Sequence, residues 1–414
     1  MTRDAPGAPA RDGPMTLLRR STSTLLLALG AAIAVLAGAG PAAAATSPLA
    51  PTTAGGPAGS RIVGGTPLTD PAQAPYTVAI FTRTSAAGGE GCSGTLVDQI
   101  HVITAAHCFV REDGTKAAPS QVAVVAGSTT YADTAPAGGA RTGVLAIRTH
   151  PRYTPDEFDD DVAVLTLATP MDFSSGRIAA LPLPAVNAPV LPRGKYAYTA
   201  RTVRLTGFGI TATGASDFGT LRSVRVGAIP IGFCGSGSSR DAAGTDAPAI
   251  LLCSERAGAG ACQGDSGGTA EVGGVLVGVI DTSGADCADG RNLYANVAAP
   301  EIRTFIDAAL REQDLTPEQT PLSPRGGTNV KLSGTPRVGE TVRCRRGSWR
   351  SGASFRYAFV FVKGRQERNR GLRSKSTYRL RASDAGWSVS CAVEARNAGG
   401  TGVSFWPFAR RVSR

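Results

Sequence analysis

Short apolar runs broken by polar turns fill the middle of the chain. Thr77 to Phe81, Gly94 to Leu96, Val122 to Val125, Val144 to Ile147, Val162 to Leu167, Arg201 to Gly207 and Val275 to Ile280 alternate with turns rich in Gly, Pro and Asp. Runs this short, so spaced, predict an all-β barrel or sandwich. The period changes after Pro300, where Ile302, Phe305, Ile306, Ala309 and Leu310 recur at i, i+3, i+4, i+7 and i+8. That is a helix with proline in its first turn. Residues 312–327, with prolines and glycines beside acidic and Thr/Ser residues, predict a linker. Residues 328–414 return to strands, at Phe355 to Val362 and Val389 to Val393, with turns at Gly339 and Asn397-Ala398-Gly399-Gly400.

The other long apolar run, Leu25 to Ala39, follows Arg19-Arg20 and precedes Ala43-Ala44-Ala45. It predicts a signal peptide over residues 1–45, cut before Thr46, and hence a secreted, extracellular protein. Residues 1–14 are Pro/Gly-rich and hold Asp4 and Asp12, so Met15 would make a better start; the Arg pair supports a twin-arginine signal only weakly. The run is too short to span a bilayer comfortably, so no membrane anchor is expected. Residues 46–61, rich in Ala, Gly, Pro and Thr, cannot bury a core and predict an extended, cleavable propeptide.

At 414 residues and 42% hydrophobic, the chain can build two or more cores. Its net charge of +11 hides an asymmetry. Residues 325–414 hold 20 basic and 4 acidic residues, a net +16, against 23 and 28 in the remainder. A surface so basic would attract an anionic partner such as a cell-wall polymer, a polysaccharide or nucleic acid, although charge runs are more often plain solvated surface. Eight cysteines without a C-x-x-C pair argue for disulfides and against zinc or thioredoxin-type chemistry, and no metal or cofactor is expected.

Candidate chemistry centres on Cys262-Gln263-Gly264-Asp265-Ser266-Gly267-Gly268. Glycines around a serine allow a tight loop whose backbone N–H groups converge on one point, but a serine hydroxyl is inert without a base. Of the three histidines, His101 lies in an apolar strand pattern and His150 precedes Pro151, which leaves His107. An aspartate to orient it is offered by Asp159, Asp160 and Asp161.

Taken together, Arg61-Ile62-Val63-Gly64-Gly65, Ala105-Ala106-His107-Cys108, His150-Pro151-Arg152-Tyr153, Thr206-Gly207-Phe208-Gly209 and the Ser266 segment resemble the motifs of the chymotrypsin-like serine proteases, in that family's order. The resemblance covers residues 61 to 312. It implies two six-stranded antiparallel β-barrels over residues 62–311 with a closing helix, His107 and Asp161 on the first barrel and Ser266 on the second. Asp161 is preferred because it abuts the strand Val162-Ala163-Val164-Leu165, as in the family. The resemblance also implies an oxyanion hole from the N–H groups of Gly264 and Ser266, and activation by a cut after Arg61 that lets the Ile62 ammonium pair with Asp265. Disulfides would join Cys92 to Cys108, Cys234 to Cys253 and Cys262 to Cys287.

The substrate pocket would be lined by Gly260, Ala261, Ser283, Gly284 and Asn292. Family members that cut after Arg or Lys carry an aspartate six residues before the serine, where this chain has Gly260. A preference for neutral residues follows, unless Asp281 or Asp286 supplies the charge. In the last segment, Pro336 to Cys344 and Asp384-Ala385-Gly386 before Cys391 resemble small immunoglobulin-like modules appended to bacterial secreted proteins, with Cys344 bonded to Cys391 across a β-sandwich. Val389 stands where that fold often has a tyrosine. The expected protein is therefore a monomeric secreted serine endopeptidase acting on proteins or peptides; the rival is a catalytically silent protease-fold binding protein targeted by its basic module.

Overall fold

The computed structural model describes residues 62–84, 89–155, 159–188, 202–229, 247–248, 250–283, 286–324, 326–349, 352–364, 366–406 and 408–414, within one compact unit, Gly56–Arg414. The expected signal peptide, the propeptide with Arg61, Cys234 and Gly284 lie outside the described residues.

Strands β1 (Thr77–Arg83), β2 (Gly89–Leu96), β3 (His101–Thr104), β4 (Val122–Ala126), β5 (Ala140–Thr149) and β6 (Ala163–Leu167) close into an antiparallel barrel in the order β1-β2-β3-β6-β5-β4. Its interior is built from the apolar runs that the sequence pattern marks out, with Ile80, Leu96, Ile103, Val124, Val164 and Leu165 fully buried. Strands β7 (Thr202–Gly207), β8 (Arg222–Ile229), β9 (Leu251–Glu255), β10 (Thr269–Glu271), β11 (Leu276–Ser283) and β12 (Arg291–Asn296) form a second antiparallel ring, β8-β9-β12-β11-β10-β7, which closes through pairing of β7 with β8. The expected pair of six-stranded barrels is what the chain builds.

Buried threonines join the barrels. Thr77 Oγ1 lies 2.8 Å from Thr206 Oγ1, and Thr95 Oγ1 lies 2.7 Å from Thr269 Oγ1. Each hydroxyl both donates and accepts, so the pairs satisfy one another where no water reaches. The helix α1, Pro300–Ala309, begins with proline and buries Ile302, Phe305, Ile306 and Ala309 against the first barrel's core. Among the described residues no helix is long and apolar enough to cross a membrane.

The segment expected as a linker is tied down. Glu312 and Asp314 pair with Arg148, the Arg152 guanidinium donates to the Thr320 carbonyl at 2.8 Å, and Ser323 donates its N–H and Oγ–H to the buried Glu301 carboxylate at 2.9 and 2.6 Å. It connects the two folds, but not as a free tether.

Beyond it, β13 (Lys331–Ser333), β14 (Thr341–Arg345) and β17 (Thr377–Arg379) form one sheet, while β15 (Ser354–Lys363), β16 (Gln366–Asn369), β18 (Ser388–Asn397) and β19 (Gly400–Phe405) form the other. The Cys344–Cys391 disulfide links β14 to β18 across a core of Phe359, Phe361, Tyr378, Trp387 and Val389. Val389 is fully buried there, and the Tyr378 hydroxyl donates to Asp384 at 3.0 Å.

Candidate active site

His107 sits on the short turn of helix Ala106–Cys108 that follows β3, and the Cys92–Cys108 disulfide clamps that turn to β2. Its backbone N–H donates to Asp161 Oδ1 at 2.8 Å, and its Nδ1 lies 2.6 Å from Asp161 Oδ2. Two contacts to one carboxylate fix both the position and the plane of the imidazole. Burial works against charge on the ring, but the Asp161 charge and hydrogen bond outweigh it and raise the His107 pKa above an ordinary histidine's. Burial likewise opposes charge on Asp161, and the contacts to His107 overcome it, holding that carboxyl below the usual range. Asp160 faces His150 instead, 3.7 Å from its Nδ1 with both side chains fully buried. His101 bridges Asp98 and Glu312.

The loop bearing Ser266 is pinned from both barrels. Ser93 of β2 donates its N–H to the Ser266 carbonyl at 2.8 Å and its hydroxyl to the Gly264 carbonyl at 3.0 Å, while Gly267 N–H donates to Ile280 O at 2.7 Å. Gly264 and Gly267 have φ of 91° and 77°, which glycine adopts without strain. A Cβ at Gly267 would lie 2.0 Å from Thr104 Oγ1, so the loop rests directly on the chain leading into His107. With the Gly264 carbonyl turned to Ser93, the N–H groups of Gly264 and Ser266 find no acceptor among the described residues. The Ser266 hydroxyl is half-exposed and makes no hydrogen bond among them, to His107 included; such contacts are often loose without substrate.

Behind the loop, Asp265 is fully buried and accepts from Gly209 N–H at 2.8 Å and Cys262 N–H at 2.9 Å. Burial pushes its pKa up to about 7, against those hydrogen bonds and the Arg222 charge. Glycine is required beside it, because a Cβ at Gly207 or Gly209 would come within 2.3 or 2.5 Å of the carboxyl group. Ile62 is buried in the second barrel's core, and the Val63 carbonyl accepts from Gly260 N–H at 2.8 Å.

The family model Trypsin matches residues 62–306, more than half of the chain. The chain belongs to the trypsin family. Relatives include trypsin alpha of Drosophila erecta, 30% identical over 249 residues that cover 59% of this chain and 86% of that one, and a trypsin of Phaedon cochleariae, 31% identical over 214 residues covering 50% and 75%. A solved structure of human heparin binding protein aligns with 23% identity and a TM-score of 0.47, over 61% of this chain and 99% of that one.

In this trypsin-family domain the expected pocket residues Gly260, Ala261 and Asn292 are all buried. The Asn292 amide accepts from Ala261 N–H at 2.7 Å and donates to Gly290 O at 3.1 Å. A Cβ at Gly260 would lie 2.8 Å from both polar atoms of that amide, so Asn292 already occupies the space an aspartate there would need. Ser283 is half-buried at the end of β11, with its hydroxyl 3.8 Å from Cys287 Sγ.

Neither aspartate considered as a pocket charge is free for that task. Asp286 caps the turn Cys287–Asp289, accepting from Ala288 N–H and Thr213 Oγ1, both at 3.0 Å. Asp281 is buried beside Asp161 rather than turned to Asn292. The Cys92–Cys108, Cys262–Cys287 and Cys344–Cys391 bonds are formed; Cys253 is also disulfide-bonded, and its expected partner Cys234 lies outside the described residues.

Among the described residues, two sets of metal-type donors converge within 4.8 Å, both through His107. In one, the sulfurs of Cys92 and Cys108 are consumed by their disulfide. In the other, Asp161 and Asp281, the aspartate is already bonded to the ring. Ser93 contributes to the site with no motif in the sequence to mark it, and Asp281, named in the sequence only as an alternative pocket charge, lies beside Asp161 and His107 instead.

Proposed function

We propose that the chain is a secreted serine endopeptidase, made as a zymogen, in which Ser266, His107 and Asp161 form the catalytic triad. The observation that carries this reading is the His107–Asp161 pair set against a tight, glycine-built loop that presents Ser266 with two N–H donors unused among the described residues. Ser266 Oγ would attack the scissile carbonyl while His107 Nε2 takes its proton, and Asp161, remaining ionised, would stabilise the imidazolium. The N–H groups of Gly264 and Ser266 would hold the developing oxyanion. His107 then returns the proton to the leaving amine, and water repeats the sequence on the acyl-enzyme.

Activation by a cut between Arg61 and Ile62 has two supports. A buried Asp265 with a pKa of about 7 is a carboxyl waiting for a cation, which the Ile62 ammonium would supply. Ile62 also holds a φ of 40°, a conformation that strains a β-branched residue by about 1–3 kcal/mol. Cutting the preceding peptide bond removes that constraint.

The neutral surroundings of Gly260 leave an arginine side chain without a partner, at a cost of several kcal/mol. Peptides with a neutral residue before the scissile bond should therefore be cut at least about 100-fold faster than their arginine counterparts. Profiling the cut protein on a peptide library tests both points. A preference for arginine would contradict the pocket reading, and cleavage of nothing would favour the silent binding protein.

The module over residues 328–414, joined through 312–327, would serve as an immunoglobulin-like anchor for anionic wall polymers or polysaccharides. Arg343, Arg345 and Arg346 are exposed at and just beyond the end of β14, and Arg368 stacks 3.5 Å over the Trp387 ring. Replacing those three exposed arginines by serine should lower the salt dependence of retention on a teichoic-acid matrix by a slope of about three. A chain ending at Pro324 should lose retention yet still cut peptides; one ending at Glu312 would also strip buried Glu301 of both Ser323 donors. Unchanged retention in either case would sink the anchoring role.

A further inference from the structure

Asp281 has no part in the chemistry described so far, yet it is buried against it. It is 5% exposed, and one of its carboxyl oxygens, one from Asp161 and a ring nitrogen of His107 all lie within 4.8 Å of one another. Its placement comes from an irregularity in the sheet. Ile280 pairs with Tyr294 and Thr282 with Leu293, so Asp281 is the extra residue of a bulge between β11 and β12. A bulge re-aims the side chain that a regular strand would have placed differently.

Two carboxyl groups this close cannot both be ionised without strong repulsion. Asp161 accepts from the His107 backbone N–H and faces its Nδ1, which favour its charge. Among the described residues Asp281 has no such donor, and its Oδ2 is buried there without a hydrogen-bond partner. Asp159, Tyr153 and His107 are the other titratable groups around the pair, and the negative charges of Asp159 and Asp161 both disfavour ionising Asp281.

We propose that Asp281 is a positioning residue that stays protonated at neutral pH and donates its proton to the Asp161 carboxylate, holding it in the plane that orients His107. Burial first, then the Asp161 charge, raise the Asp281 pKa well above the carboxylate range, in keeping with this geometry. The pair then carries a single negative charge through the working range, and His107 sees one carboxylate rather than two.

The proposal rests on the triad reading, so its test has one arm that needs no turnover. In the infrared spectrum of the cut full-length protein at neutral pH, the carbonyl stretch of a protonated carboxyl should be present and should vanish in the Asp281→Asn difference spectrum. In kinetics, Asp281→Ala should lower kcat about tenfold with KM little changed, the loss expected for one hydrogen bond to a charged group. Asp281→Asn and Asp281→Ser, which keep a donor, should recover most of that loss. The acid limb of the kcat/KM profile should stay within about 0.3 unit in Asp281→Asn; were Asp281 ionised, removing its charge would shift that limb down by about one unit or more. A downward shift, an absent infrared band or an inert Asp281→Ala would each overturn the proposal. A band without any turnover would instead count against the protease reading alone.

Discussion

Changing Ser266 to Ala in protein cut between Arg61 and Ile62 is expected to lower kcat/KM for peptide amides by about a million-fold, with KM far less affected. The alanine keeps the loop, because its pins are backbone groups of Ser266, Gly264 and Gly267 held by Ser93 and Ile280. What disappears is the hydroxyl proposed as the nucleophile. His107→Ala should cost about as much, and the double variant little more than either alone, since nucleophile and base act as one unit. Residual turnover within tenfold of the wild type for Ser266→Ala would mean that the hydrolysis proceeds elsewhere. Initial rates on a peptide amide, with a single-turnover control for substrate binding, settle the magnitude.

The second large effect is on stability, and it distinguishes the uncut from the cut chain. Asp265 is raised in the folded uncut protein to about 7, whereas an exposed aspartate titrates near its ordinary value. Below that ordinary value the group is protonated in both states and imposes no penalty. As pH rises toward 7 the unfolded chain gives up its proton while the folded chain retains it, so stability falls, and above 7 the loss is constant. The full span amounts to about 4 kcal/mol. Once the Ile62 ammonium is free to pair with Asp265, the loss should largely disappear. Denaturant midpoints of Ser266→Ala protein at pH 4, 6 and 8, uncut and cut, give the difference curve in which the other titrating carboxyls cancel. Asp265→Asn should flatten the slope in the uncut chain. A difference curve that does not change with pH would remove the electrostatic basis for activation.

Much of this architecture is legible in the sequence because barrel strands are buried and therefore apolar. Thr77 to Phe81, Val122 to Val125 and Val162 to Leu167 lie in or against strands, and the i, i+3, i+4 spacing after Pro300 gives a helix that buries those same positions. The strand over Gly89–Leu96 was visible only at Gly94 to Leu96, since Gly89-Glu90-Gly91 carries no apolar signal and pairs by backbone alone. Arg222–Ile229 went unread for a related reason: Arg222 is 1% exposed in a position where a charged residue argues against burial.

Among site residues, His107, Asp161 and Ser266 could be placed because each sits in a motif with its own local geometry. Asp161 is preferred over Asp159 and Asp160 in the sequence because it abuts the strand Val162-Ala163-Val164-Leu165; the physical reason is the turn at Asp160, with its φ of 62°, which sends Asp160 to His150 and Asp161 to His107. Asp281 stands in the sequence only as an alternative pocket charge beside Asp286, because residue alternation along a strand carries no sign of the bulge that places it against Asp161. The segment after Glu312 looked free because Ser323 shows its value only opposite Glu301.

The most direct test of the central claim is active-site labelling. Protein is treated with a serine-directed phosphonate bearing a neutral side chain, before and after cleavage between Arg61 and Ile62, and the adduct is mapped by mass spectrometry. The expected result is one adduct, on Ser266, formed rapidly in the cut protein, slowly in the uncut protein and not at all in His107→Ala. Absence of label on Ser266 after Ile62 has been freed would contradict the protease reading; equal labelling of cut and uncut chains would contradict the zymogen.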